Sequence, residues 1–155
     1  MSTHTPRLVR LSDLAEWVGQ DVAVSDWVLI TQDRVNQFAQ ATGDFQWIHV
    51  DPVRAAQGPF GGTIAHGFLT LSLIPLFFES AIDLQPTGMG INYGLNKVRF
   101  TSPVRVGSRL RAHLKLLQAT PLENNGAQLT WEVKVECDGL DKPVCIAESI
   151  ARRYP

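Results

Sequence analysis

The stretch LTWEVKVECD, Leu129 to Asp138, alternates apolar and polar residues along its whole length. Leu129, Trp131, Val133, Val135 and Cys137 fall on one side, and Thr130, Glu132, Lys134, Glu136 and Asp138 on the other. A period of two is that of a strand with one covered face. Upstream, Val104, Val106, Leu110, Ala112, Leu114 and Leu116 alternate in the same way against Arg105, Arg109, Arg111, His113 and Lys115. Cys145 to Arg153 and Gly90 to Phe100 complete a set of long strands. NNG at Asn124 to Gly126 and DGLDKP at Asp138 to Pro143 have hairpin-turn composition. Long consecutive strands joined by short turns imply an antiparallel sheet covered on one face.

The cover must come from the first half. IAHGFLTLSLIPLFFESAID, Ile64 to Asp83, is apolar on every side, as a helix wrapped by a sheet is. Pro75 inside it removes a backbone bond at a cost of about 3 kcal/mol, so a kink near Leu71 or a locally irregular helix is expected. Shorter helices are expected at Ser12 to Val18, closed by Gly19, and at Gln32 to Ala41, with Thr31 as cap and a stop before Gly43. Another begins at Pro52 with Asp51 as cap. DWVLI, Asp26 to Ile30, reads as a short strand. The expected class is α+β: one domain over residues 1–155, a curved antiparallel sheet round a central helix, with 1–23 as an N-terminal helical extension.

Composition agrees with a single core. The chain has 155 residues, 45% hydrophobic and 19% charged, with a formal net charge of -1. That length buries a core without help from metals or disulfides. No excess of Lys and Arg is available to neutralise phosphates, which argues against a nucleic-acid or membrane-surface partner. MSTHTPRLVR has no apolar run after its basic residues, and Phe68 to Phe78 is too short to span a bilayer. Cys137 and Cys145 flank a turn and would allow a cross-strand disulfide; without a secretory signal two reduced thiols are expected. The expected location is the cytoplasm, and the expected partner a small molecule, another copy of the chain, or both.

Chemistry concentrates in ATGDFQWIHVDPVRAAQGPFGGTIAHGFLTL, Ala41 to Leu71. Asp44 and His49 lie just past a helix end, where a carboxylate and an imidazole can share one water. The plainer alternative is that Asp44 caps turns and His49 packs beside Trp47. GPFGGTIAHG, Gly58 to Gly67, leads into the apolar helix, whose first N–H groups stabilise negative charge. Aimed at a thioester carbonyl they would form an oxyanion hole, and Gly67 has no side chain to block the approach. Its plainer role is close packing of helix on sheet. Asp44, His49, Asp51 and His66 match no common metal-ligand spacing, so no metal is expected, and His66 reads as a hydrogen bonder at the helix start. Ser72 has no elbow motif around it and both cysteines lie in strands, so no nucleophilic triad is expected. Arg99, Arg105, Arg109 and Arg111 read as a solvated face or, with Lys97, as contacts to the phosphates of an extended ligand.

GDFQWIHVDPVRA, then IAHGFLTLSL, then NYGLNKVRFTSPVRVGS resemble the MaoC-like dehydratases, which include (R)-specific enoyl-CoA hydratases and nodulation protein N-like proteins. The likeness runs from about Val24 to Arg152. It implies the hot-dog fold, a long helix wrapped by a curved antiparallel sheet, and a homodimer. It also implies that Asp44 and His49 activate a water that adds reversibly to a trans-2-enoyl-CoA, giving an (R)-3-hydroxyacyl-CoA, with the Gly67 N–H on the thioester oxygen. No cofactor is implied beyond the CoA of the substrate. Gln46, Trp47, Phe60, His66, Phe68 and Ser72 would line the substrate, and Asn96, Lys97 and Arg99 would meet the CoA. Classical members read Gly-Asp-x-Asn-Pro-Leu/Ile/Val-His; here Gln46 and Trp47 replace Asn-Pro, lengthening the amide and adding a bulky ring. Two other readings stand beside this one. A hot-dog thioesterase would need a carboxylate such as Glu79 in the helix, and a non-catalytic acyl-CoA sensor would need no base at all.

Overall fold

The computed structural model describes residues 4–86 and 88–155. The chain runs through β1 (Arg7–Arg10), a 3-10 turn (Leu11–Asp13), α1 (Leu14–Trp17), β2 (Asp21–Val24) and β3 (Val28–Leu29). Four short helices follow, α2 (Gln32–Thr42), α3 (Trp47–Val50), α4 (Pro52–Ala56) and α5 (Gly67–Ser72), and then α6 (Ile74–Ala81). The rest is strand: β4 (Ile82–Gln85), β5 (Met89–Phe100), β6 (Arg109–Pro121), β7 (Ala127–Cys137) and β8 (Cys145–Tyr154).

The long strands pair antiparallel in the order β2-β6-β7-β8-β5, and β3 also pairs with β6. The alternation read from the sequence is the alternation of burial. Leu110, Ala112, Leu114 and Leu116 of β6 and Leu129, Trp131, Val133 and Val135 of β7 are all buried. They pack with Leu69, Leu73, Ile74, Phe77 and Ala81 from α5 and α6. Phe77 has no exposed surface, and burying a side chain of that size contributes about 1.5–3 kcal/mol. Phe78 meets Trp131 edge-on at 5.1 Å, seating the helix on the sheet.

Pro75 interrupts the central helix as its chemistry requires. The break is at Leu73, two residues beyond the expected kink, so Pro75 falls in the first turn of α6, where a missing N–H costs little. The helix is also shorter than read: it begins at Gly67 and ends at Ala81. Ile82 and Asp83 belong instead to β4, which pairs in parallel with β1 from Arg7↔Ile82 to Arg10↔Gln85.

The segment 1–23 is helical only from Leu11 to Trp17 among its described residues; β1 precedes that stretch and β2 follows it, and β2 is part of the main sheet. The strand expected over Asp26 to Ile30 contracts to Val28–Leu29. Cys145 pairs with Val135, so Cys137 is not opposite it; both thiols are free and buried. Burial pushes the Cys145 thiol up to about 11. Among the described residues no helix is long and apolar enough to cross a membrane.

Candidate active site

α2 is capped at its start by Thr31, whose hydroxyl accepts the Arg34 N–H, and ends at Gly43 in the left-handed conformation (φ 82°). The Gly43 N–H donates to the Ala39 carbonyl at 2.8 Å. Only glycine adopts that turn at little cost, and it sets exposed Asp44 just beyond the helix. One Asp44 carboxylate oxygen accepts the Gln46 N–H at 3.3 Å. The turn-capping role and a chemical role therefore coexist, because the second oxygen remains available.

One helical turn later α3 presents His49, which is 6% exposed. Its Nδ1 lies 2.7 Å from the Ile64 carbonyl. A carbonyl can only accept, so Nδ1 carries the proton and Nε2 keeps its lone pair. Gln32 of α2 straps the same segment in place. Its Nε2 donates to the His49 carbonyl at 2.7 Å, and its Oε1 accepts the Thr63 hydroxyl at 2.6 Å. The Ile64 N–H donates back to the Ile48 carbonyl at 3.0 Å. Burial holds His49 below the usual imidazole value; the bond to Ile64 offsets part of this, His66 lowers it further and Asp44 raises it. At neutral pH the ring is uncharged.

His66, 3% exposed, stands between the pieces. Its Nε2–H donates to the backbone carbonyl of Asp44 at 3.0 Å. Its ring stacks on His49 with centroids 3.9 Å apart and planes 24° from parallel, and Phe38 packs against it at 4.9 Å. Its Nδ1 is buried without a hydrogen-bond partner. Asp44, His49 and His66 offer polar atoms within 4.8 Å of one another. The three side chains are close enough to share one small ligand, and a carboxylate beside two imidazoles can pass a proton among them.

Gly67 opens α5, so its N–H precedes the helical ladder. A Cβ there would lie 2.8 Å from the ring of Phe100, so close packing on β5 also demands glycine. Phe68 is exposed and meets Phe100 edge-on at 6.0 Å. The remaining expected residues lie around this centre. Gln46 and Phe60 are exposed. The Trp47 ring lies against Gly58 and under the Arg54 guanidinium at 4.3 Å. Ser72 spends its hydroxyl proton on the Leu69 carbonyl at 2.8 Å. Asn96, Lys97 and Arg99 are exposed on β5, with Asn96 reaching Glu148 and Arg99 donating to the Val98 carbonyl.

The structure thus gathers Asp44, His49, His66 and Gly67 and leaves Asn96, Lys97 and Arg99 on an edge strand. The sequence reading missed Gln32, Thr63, Phe38 and Phe100. Phe100 ends a run of strand and Gln32 follows a capping threonine; neither carries a local mark of its role.

Residues 13–136 match the family described as MaoC like domain. The chain is 55% identical to 3-hydroxyacyl-thioester dehydratase Z of Mycobacterium tuberculosis, over 92% of this chain and 94% of the relative. It is 44% identical to nodulation protein N of Rhizobium meliloti, over 92% and 90%. The fold is that of the solved (R)-hydratase from A. caviae: TM-score 0.69 and 26% identity, covering 89% of this chain and 96% of that one.

Proposed function

Because the chain belongs to the MaoC-like dehydratase family, we propose that it is an acyl-thioester hydratase that adds water reversibly to trans-2-enoyl-CoA and yields (R)-3-hydroxyacyl-CoA. The observation that carries this reading is the pairing of a free Asp44 oxygen with an uncharged His49 whose Nε2 keeps its lone pair. A water between them donates to both and turns its own lone pair to the substrate.

The steps balance on one water. Its oxygen bonds to the β-carbon while Asp44 takes a proton, and the electron pair of the double bond moves toward the thioester oxygen. The Gly67 N–H faces that oxygen. The proton then returns through His49 to the α-carbon, which consumes the enolate and leaves the dyad as it began. General base catalysis is worth about 10²–10⁴-fold and one oxyanion donor about 10²–10³-fold. No cofactor enters. Gln46, Trp47, Phe60, Phe68 and Ser72 border the acyl chain, and Asn96, Lys97 and Arg99 meet the CoA.

The active form is a homodimer. β5 is a twelve-residue edge strand on which Met89, Ile91, Tyr93, Leu95 and Phe100 are exposed, with exposed Phe68 beside them. An uncovered apolar edge of this length invites a second copy across a two-fold axis. A cytoplasmic location belongs to the same reading.

A thioesterase is disfavoured because Glu79 lies exposed roughly 18 Å along the helix from Gly67. A sensor is disfavoured because the Ile64 carbonyl fixes the His49 ring while Gln32, braced by Thr63, fixes its backbone. Incubation with crotonyl-CoA decides among the three. Loss of the conjugated-thioester absorbance with an (R) product supports the hydratase; release of free thiol means a thioesterase; binding without turnover means a sensor.

A further inference from the structure

Arg153 of β8 faces the core side of the sheet. The residues before it on that face, Ala151, Ser149 and Ala147, pair with Leu129, Trp131 and Val133, all buried. Its own cross-strand neighbours are Ala127 and Gly90. The guanidinium lies over Gly90, where a Cβ would collide with it. The glycine therefore makes the space that the cation occupies.

Among the described residues the Arg153 side chain makes no hydrogen bond and no ion pair. Burial lowers its pKa. Half-buried arginines are ordinarily paired, because a guanidinium taken from water without a partner is costly.

The group opens onto a cavity of about 540 Å³ walled by Phe78, Ile82, Leu129 and Trp131. A second cavity, of about 320 Å³, begins at Phe68 beside Gly67 and runs past Ser72 to Pro75. Pro75 borders both cavities. Their sheet walls also meet, since Ser149 of the smaller pairs with Trp131 of the larger. Phe68, Ser72, Pro75 and Glu79 mark one face of α5 and α6 along roughly 16 Å. The two cavities lie in succession along α5 and α6, and a chain running from the thioester site to Arg153 would take a path across Pro75 from one to the other.

We propose that this path takes the acyl chain and that Arg153 receives a carboxylate at its far end, so that the preferred substrates are enoyl thioesters with a terminal carboxylate. The inference rests on the hydratase reading for the position of the thioester. A guanidinium matches a carboxylate with two parallel hydrogen bonds. Asn96, Lys97 and Arg99, assigned above to the CoA, do not line this cavity, which leaves its cation to another anion. Glu79 and Asp83 line the same cavity from its exposed rim and repel anions arriving from solvent. An anion delivered through the apolar path avoids them.

Binding of saturated thioesters tests this without turnover. Dodecanoyl-CoA and dodecanedioyl-CoA differ only in the terminal group, and calorimetric titration of wild type, Arg153→Leu and Arg153→Lys reads the difference. Wild type binds the dicarboxylic thioester at least ~10-fold more tightly, Arg153→Leu loses the preference and Arg153→Lys keeps part of it. Crotonyl-CoA, too short to reach, is hydrated equally by wild type and Arg153→Leu. Equal affinities in wild type, or a preference that survives in Arg153→Leu, overturns the proposal. So does loss of the dimer in Arg153→Leu by light scattering, which would make Arg153 an interface residue. Failure of the hydratase reading looks different: crotonyl-CoA is not turned over while the affinity difference remains.

Discussion

The imidazole of His66 stacks on that of His49 at 3.9 Å, and the same ring anchors the Asp44 backbone carbonyl through its Nε2–H. One buried side chain thereby contacts both residues of the proposed water-activating pair. In His66→Phe the stacking face remains and the anchor is lost; in His66→Gln a donor remains and the stack is lost. We expect kcat for crotonyl-CoA to fall about tenfold in each, with KM little changed, because the His66 ring is buried and acts through the two residues it contacts rather than as the substrate-lining group first expected. Steady-state kinetics with a circular-dichroism check of folding reads the split.

The pH profile follows from the state of His49. Its folded pKa lies below the ordinary 6.5 because burial disfavours the cation. Activity requires the uncharged ring, so it is level through neutral pH and falls on an acid limb below 6.5. Removing the neighbouring imidazole in His66→Phe moves that limb upward. Stability has the same sign: the unfolded chain binds the proton first, so the contribution of His49 is complete above 6.5 and is lost as pH falls through the folded pKa. Denaturant midpoints measured from pH 8 to pH 5 check the second statement.

Gly67→Ala places a methyl group 2.8 Å from the Phe100 ring. Overpacking of this kind costs about 1–3 kcal/mol, and it moves the N–H that the proposed mechanism sets against the thioester oxygen. Both stability and kcat fall. Adding Phe100→Leu makes room and recovers stability in urea melts.

Ile91→Lys sets a charge on the β5 edge, where Ile91 is 43% exposed. Charged edges resist strand addition. Light scattering at micromolar concentration is expected to give twice the chain mass for wild type and the chain mass for the variant.

How much of this was legible in the sequence depended on the range of the forces involved. β6 and β7 could be read because each buries alternate residues toward the core, so a local pattern records a tertiary fact. The break at Leu73 could be read to within two residues because Pro75 acts on its own backbone. β1 and β4 could not: each has four residues, and each is a strand only because the other, far along the chain, lies beside it. The site divides in the same way. Asp44 and His49 are separated by one turn and one short helix, so their proximity is local. The stack of His66 on His49 and the strap from Gln32 exist only because the segment Thr63 to His66 folds back on α2 and α3. Nothing in the neighbouring residues announces that approach.

The central claim is that Asp44 and His49 activate one water between them. The most direct test is the rate of crotonyl-CoA hydration by wild type, Asp44→Asn and His49→Ala, each shown to be folded, followed as loss of enoyl-thioester absorbance. The account predicts a fall of at least ~10²-fold in both variants. Full activity in either one would contradict it.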